Sequence, residues 1–333
     1  MHVGIVGCGL IGRRRADVVR RSPGDELVIV ADVDEGRARS LARKIGCLAT
    51  TDWQEVVARE DLEIVVVSTT NDWLAPITIA ALQHGKHVLC EKPPGRNPEE
   101  ARQMMGAAKG GGRKLKIGFN HRHHAAAWKA RELLDQGSIG EPLFIRCRYG
   151  HGGRPGYEKE WRAAPEISGG GELLDQGIHA IDLFRWFLGD FQEAFGYIST
   201  WFWNASVEDN AFALFRTAGG RVASLHASWT QWKNLFSFEV FGQDGYLIVD
   251  GLGGSYGPER LRVGQRKMEE GPPEEEVLEF PGPDVSWEAE WREFVSAIRE
   301  SREPLANGYD GWQAVRMVDA VYESARTGRV IKL

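Results

Sequence analysis

The segment GGGELLDQGIHAIDLFRWFLG, residues 169–189, carries Asp175, His179 and Asp182 at spacings of four and three. In an α-helix those spacings place three polar side chains on one face. An imidazole titrates near neutrality and can take a proton. A carboxylate one turn away can orient it or bind a hydroxyl. The same stripe also describes an ordinary solvated helix face, so the rest of the chain has to decide. A second signal lies at the N-terminus, where GIVGCGLIG contains Gly7-x-Gly9-x-x-Gly12. The motif follows an apolar strand and opens a helix, the context that a dinucleotide loop needs. Gly7 permits the tight turn, Gly9 lets the backbone approach a pyrophosphate, and Gly12 lets helix and strand pack closely. Leu10 and Ile11 lie in the first turn, where free N–H groups and a partial positive charge favour an anion. Asp32, twenty residues after Gly12, ends the second strand. There it can accept hydrogen bonds from the ribose hydroxyls and repel a 2′-phosphate. A bound dinucleotide is expected, NAD ahead of NADP, with Arg37 and Arg39 near enough to keep NADP open.

These residues need a scaffold, and the chain's rhythm supplies one. HVGIVG, ELVIVADVD, LEIVVVSTT, KHVLCEK and RKLKIGFN are apolar runs, separated by helical segments such as LIGRRRADVVRRS and APITIAALQHG. Continuous apolar strands alternating with helices predict a doubly wound parallel sheet of Rossmann type, over residues 1–119. After Asn120 the pattern changes to EPLFIRCRYGH, EAFGYISTWFWN, NAFALFRTAGG, RVASLHASWT, LFSFEVFGQDG and YLIVDG. Several of these are joined by glycine-containing turns, which predicts antiparallel hairpins. Residues 120–333 therefore read as an α+β domain with a large, mostly antiparallel sheet. KMEEGPPEEEVLEFPGP reads as an exposed acidic loop or edge. TWFWN alternates, so Trp201 and Trp203 are expected to share a face, in a core or a subunit interface.

Bulk properties exclude some functions. The formal charge of -6 favours neither nucleic acid nor an anionic membrane as partner. HVGIVG enters a strand at once, so no signal peptide is expected, and no apolar run reaches the length of a membrane span. Four scattered cysteines without a CxxC pair suggest a reducing, cytoplasmic setting. The run His121, Arg122, His123, His124 lacks further donors at ligand spacing, so no metal is expected.

The order STTND (Ser68, Thr69, Thr70, Asn71, Asp72), EKP (Glu91, Lys92, Pro93), IGFNHRHH, GSIGEPLFIRCR, GGGELLDQGIHAIDLFRWFLG and GWQAVRMVDAVYESARTGR resembles the glucose–fructose oxidoreductase/inositol dehydrogenase (Gfo/Idh/MocA) family over nearly the whole chain. The resemblance implies a Rossmann domain followed by a larger domain whose open sheet forms a homodimer or homotetramer contact. It also implies that the last helix, about 309–327, packs back beside the Rossmann domain. It places Ser68, Thr69, Thr70, Asn71, Glu91 and Lys92 with the cofactor. Lys92, Asp175 and His179 become the catalytic set. His179 would move the proton, Lys92 would donate a hydrogen bond to the reacting oxygen, and Asp175 would orient the imidazole or bind a hydroxyl. Glu91 would be the partner of Lys92 or face solvent. Asn120, Arg122, Tyr157, Trp161 and Arg162 join Lys92, Asp175 and His179 as candidate substrate contacts. Arg162 suits a carboxylate or phosphate, which brings in anionic sugars and nucleotide-sugars. Asp182 stays outside the catalytic set. The three glycines at 169–171 are expected to let a ligand approach the backbone.

The leading expectation is an NAD(P)-dependent oxidoreductase of a sugar, polyol or nucleotide-sugar. Two others stand beside it. One is an enzyme with tightly held NAD that uses transient oxidation for glycoside cleavage or epimerisation. The other is a non-catalytic dinucleotide sensor.

Overall fold

The computed structural model describes residues 1–267 and 271–333; part of the acidic KMEEGPPEEEVLEFPGP segment therefore lies outside the described residues. The chain divides into two compact units. One comprises Met1–Phe119, Glu166–Gly169 and Trp287–Val315. The other comprises Asn120–Pro165, Gly170–Ser286 and Arg316–Leu333.

In the first unit six strands pair in parallel: β1 (His2–Val6), β2 (Glu26–Ala31), β3 (Leu48–Thr50), β4 (Ile64–Val67), β5 (His87–Cys90) and β6 (Leu115–Ile117). Their order is β3-β2-β1-β4-β5-β6. All four residues of β4, Ile64 to Val67, are buried, as its unbroken apolar run requires. Helices α1 (Leu10–Arg21), α2 (Glu35–Ile45), α3 (Trp53–Ala58), α4 (Asn71–Gln83) and α5 (Pro98–Gly111) connect the strands. Strand order reverses where β1 lies beside β4, the place where such sheets bind ligands. The loops after both strands, Gly7–Gly9 and Ser68–Thr70, open there.

Among the described residues the second unit holds nine strands: β7 (Pro142–Gly150), β8 (Phe191–Ser199), β9 (Asn210–Thr217), β10 (Val222–Ser228), β11 (Leu235–Gly242), β12 (Gly245–Asp250), β13 (Glu259–Gln265), β14 (Glu274–Phe280) and β15 (Ile331–Lys332). Their order is β14-β13-β12-β11-β7-β10-β9-β8-β15. Every pairing is antiparallel except β7 with β10. Further helices along the chain are α6 (Ala125–Asp135), the one-turn α7 (Pro165–Ser168), α8 (Ile178–Leu188), α9 (Ser286–Arg299) and α10 (Gly308–Thr327). Helix α8 covers one face of the large sheet, where Phe184 and Phe187 lie 6.0 and 5.0 Å from the Phe238 ring. The opposite face leaves Phe144, Tyr197, Phe212 and Leu214 exposed.

TWFWN does not continue β8. The Asp209 carboxylate accepts the backbone N–H groups of Trp201, Phe202 and Trp203 at 2.9, 2.8 and 3.0 Å. A side chain therefore takes the donors that a neighbouring strand would otherwise use. The two tryptophans consequently part. Trp203 packs against Tyr157, Val207 and Trp229, while Trp201 is 66% exposed.

Candidate active site

The dinucleotide loop is shaped by its glycines. Gly7 has φ +99, and a Cβ there would lie 2.4 Å from the Ser68 carbonyl oxygen. A Cβ on Gly12 would lie 1.8 Å from the Gly7 carbonyl oxygen. Gly9 differs, because a Cβ there would meet nothing within 4 Å. The glycines on either side close the turn, and Gly9 leaves an open cradle at the start of α1. No side chain caps that helix, so its first-turn N–H groups face the cradle's anion position. Ser68 Oγ donates to the Gly7 carbonyl at 2.9 Å and ties the loop after β4 to the loop after β1.

Asp32 is oriented by two backbone donors, Cys8 N–H at 2.7 Å and Asp34 N–H at 2.9 Å. Arg37 pairs with Asp34 at 3.3 Å and Arg39 with Glu35 at 2.6 Å. Each of the two cations that kept NADP open thus has a carboxylate partner. Asn71 opens α4 and donates its side-chain amide to the Ser168 carbonyl at 2.7 Å. Thr70 donates its hydroxyl to Asp72 at 2.6 Å, and the Thr69 hydroxyl donates to the Thr70 carbonyl at 3.1 Å.

Glu91 has a partner that the sequence did not suggest. Arg15 Nε and Nη2 reach its Oε1 at 2.7 and 2.5 Å. Arg15 Nη1 reaches Glu290 at 2.7 Å, and the Trp287 ring lies 4.4 Å from the guanidinium. All three charged groups are buried. The Arg15 fork thus joins the helix of the phosphate loop to the residue before Lys92. Lys92 itself is half-buried, with Pro93 and Pro94 buried behind it.

In the second unit the stretch from Leu173 to Leu188 is helical but not uniform. Leu173–Gly177 forms a π-helical turn, and α8 continues from Ile178. Such turns are rare and recur at functional sites. Asp175 lies within it and His179 just after it. Asp175 accepts a hydrogen bond from Arg162 Nε at 3.2 Å. Arg162 also stacks 4.5 Å from the Trp161 ring and lies 3.7 Å from Glu160. Burial works against the guanidinium charge, but Asp175, Tyr157 and Glu160 together outweigh it and hold the Arg162 pKa above its ordinary value. Burial lowers the His151 pKa, with Asp175 opposing.

His179 is buried, and its ring stacks on His121 at 3.8 Å with a 20° interplanar angle. His121 Nε2 lies 3.0 Å from Tyr149 Oη and its Nδ1 3.2 Å from Asn120 Oδ1. Burial lifts the Tyr149 hydroxyl well above the usual phenol range, so it stays protonated as a donor. Asn120 donates in turn to Ser286 at 2.9 Å. Tyr256 donates to Gln176, the neighbour of Asp175, at 3.0 Å.

Three expectations meet surroundings that the sequence did not show. Arg122 places Nε and Nη2 on Asp182 at 2.7 and 2.6 Å, both groups being buried. This fork ties the guanidinium to Asp182 and gives that carboxylate a buried structural partner. Tyr157 is 4% exposed and meets Trp229 edge-to-face at 4.8 Å, so its ring belongs to a core cluster. The glycines at 169–171 approach protein, not open space: a Cβ would lie 2.5 Å from Arg96 at Gly169, 2.2 Å from Tyr322 at Gly170 and 2.1 Å from Glu208 at Gly171. In the HRHH run His123 stacks beside Trp128 and His124 Nδ1 lies 3.1 Å from Glu259. Among the described residues no three His, Cys, Asp or Glu side chains gather as a metal site. Sequence reasoning weighed His121 only as a metal ligand and passed over Tyr149, Gln176 and Glu208. Only His121 carried a signal, its place in the histidine-rich run.

Comparison with known proteins agrees with the fold. Residues 1–119 match the oxidoreductase family with an NAD-binding Rossmann fold, and residues 127–248 match the GFO/IDH/MocA C-terminal domain. A 1,5-anhydro-D-fructose reductase from Ensifer adhaerens is 31% identical, covering 99% of this chain and 98% of its own. A levoglucosan dehydrogenase from Pseudarthrobacter phenanthrenivorans is 26% identical, covering 98% of this chain and 96% of its own. A solved levoglucosan dehydrogenase in complex with NADH and levoglucosan superposes with a TM-score of 0.93 at 25% identity, covering 100% of this chain and 99% of that one. A Rossmann sheet with an open pyrophosphate cradle, joined to a mostly antiparallel sheet, defines the class: an NAD-dependent oxidoreductase. The chain belongs to the Gfo/Idh/MocA family. Among the described residues no helix is long and apolar enough to cross a membrane.

Proposed function

We propose that the protein oxidises a secondary hydroxyl of a neutral cyclic sugar or polyol, or reduces the matching ketone. The observation that carries this reading is the π-helical turn that presents Asp175 to Arg162 and is followed at once by His179. Bound NAD supplies the hydride acceptor, and the chain's residues do the rest. His179 takes the hydroxyl proton, a contribution of about 10²–10⁴-fold. Lys92 donates a hydrogen bond to the oxygen as alkoxide character develops. Asp175, fixed by Arg162, accepts a hydrogen bond from a neighbouring hydroxyl. Arg162 already faces Asp175 and Glu160, which favours neutral substrates over the anionic sugars and nucleotide-sugars that the lone arginine suggested. The relatives named for levoglucosan and 1,5-anhydro-D-fructose support the same class. The exposed Phe144, Tyr197, Phe212 and Leu214 on one face of the sheet support a homo-oligomer, to be read by light scattering.

The test is turnover on a panel of anhydrosugars, inositols, aldoses and sugar acids with NAD and with NADP, in the parent and in Lys92→Ala and His179→Ala. Turnover of neutral substrates with NAD, lost in both variants while NADH still binds, supports the assignment. Unchanged turnover in both variants removes the catalytic set. Glycoside cleavage without net nicotinamide reduction would establish transient oxidation instead. Cofactor binding without any turnover would establish a sensor.

A further inference from the structure

The start of the helix that carries Asp175 and His179 has no cap of its own. Helix N-termini are usually closed by a Ser, Thr, Asp or Asn at the cap. Here glycines precede the first turn, and they have no side chain to offer. Three successive N–H groups end instead on one distant residue. Gly171 N–H donates to Glu208 Oε2 at 2.9 Å, Glu172 N–H to the Glu208 carbonyl at 3.1 Å, and Leu173 N–H to Oε1 at 3.0 Å. Tyr322, on α10, donates its hydroxyl to the same Oε1 at 2.8 Å. The glycines make this approach possible, since any Cβ at Gly170 or Gly171 would overlap Tyr322 or Glu208.

We propose that Glu208, braced by Tyr322, is a positioning residue that fixes the π-helical turn and thereby sets the direction of Asp175 and His179. The inference rests on the reading of those two residues as working groups. The carboxylate is buried, and a buried carboxylate is costly unless its oxygens are hydrogen-bonded. Three donors meet that cost at the carboxylate, the Gly171 N–H, the Tyr322 hydroxyl and the Leu173 N–H, while the Glu172 N–H ends on the backbone carbonyl of the same residue. The third donor, Leu173, is the first residue of the π-helical turn. Asp175 follows two residues later and His179 after six, so a displaced anchor displaces both. Misplacing a reacting group by about 1 Å can cost about a hundredfold in rate.

The test uses the full-length protein with Glu208→Gln, Tyr322→Phe and the double variant Glu208→Gln/His179→Ala. Glutamine keeps the shape of the side chain but turns one acceptor into an NH₂ that opposes a backbone N–H. The proposal expects kcat to fall about tenfold to a hundredfold, with the NADH dissociation constant within about twofold of the parent. Tyr322→Phe should fall less, because it removes one donor and leaves the backbone anchors. In the double variant the loss should be smaller than the product of the two single losses, since part of the effect of Glu208 runs through His179. A second readout is independent of turnover. The ring proton signal of His179, assigned by its loss in His179→Ala, feels the stacked His121 ring and should move in Glu208→Gln. A parental kcat with an unmoved signal overturns the proposal, and so do losses that multiply in the double variant. If the parent turns over no substrate, a moved signal keeps the positioning role while the catalytic reading falls. An unmoved signal then overturns both. Should Glu208→Gln fail to fold, the same signal and kcat in Tyr322→Phe decide.

Discussion

The imidazole of His179 lies 3.8 Å from that of His121, 20° from parallel. The second ring is held from both of its nitrogens, by Tyr149 Oη and Asn120 Oδ1. His121 is thus a fixed floor beneath the residue assigned to proton transfer. His121→Phe keeps a flat ring but loses two hydrogen bonds, each worth about 1 kcal/mol. Turnover is expected to fall about tenfold with the NADH dissociation constant unchanged. His121→Ala, which also removes the floor, should fall further. Steady-state kinetics and NADH fluorescence check both. Equal kcat in His121→Phe and the parent would refute the supporting role.

Asp32 presents a carboxylate pinned by Cys8 N–H and Asp34 N–H, and Arg37 and Arg39 face Asp34 and Glu35. The loop therefore favours free ribose hydroxyls. Asp32→Ser removes a charged acceptor, a loss of about 1.5–3 kcal/mol. KM for NAD should rise tenfold or more, while KM for NADP falls as the repulsion disappears. The ratio of kcat/KM values for the two cofactors is the readout.

Acid should expose one histidine of the first unit. Burial, then Arg113 and Lys114, lower the His87 pKa from its usual 6.5 to about 4. Its Nδ1 also accepts the Lys114 N–H at 3.0 Å, a bond that protonation destroys. With the folded pKa depressed, the unfolded chain binds more protons between those two values, so stability rises with pH there. The contribution is complete above about pH 6.5 and is lost as pH falls through about 4. His87→Gln can still accept the bond but does not titrate. Urea unfolding at pH 7 and pH 4.5 should show the parent losing more stability than the variant. Equal losses would show that His87 is not the acid-sensitive group.

Much of the first unit was legible because its signals are local. The apolar run of β4, the glycine spacing and Asp32 each require a parallel sheet with a dinucleotide turn, and each lies within a few residues of its effect. Strand β3 was not legible, since it has three residues, two of them exposed. TWFWN misled because alternation is only half of a strand; the other half is a partner for its N–H groups, and Asp209 took them. The same limit applied at the candidate site. Arg122 and Glu91 look available in sequence, yet their partners Asp182 and Arg15 lie 60 and 76 residues away. Glu208 was invisible for the same reason, being 37 residues from the N–H group it accepts.

Arg162 and Tyr157 belong to one loop and separate cleanly in the structure. Arg162 is half-buried, stacked on Trp161 and bonded to Asp175 through Nε. Lysine has no planar fork and cannot reproduce both contacts. Arg162→Lys should raise the substrate KM about tenfold, with little change in melting temperature, because its pairs are partly exposed. Tyr157 lies in the core against Trp229. Tyr157→Phe keeps that ring and should leave KM within about twofold of the parent, whereas Tyr157→Ala should cost about 3–5 kcal/mol of stability, as truncation of a buried aromatic does. Substrate kinetics beside urea unfolding separate the two. A raised KM in Tyr157→Phe at unchanged stability would return that hydroxyl to the substrate contacts.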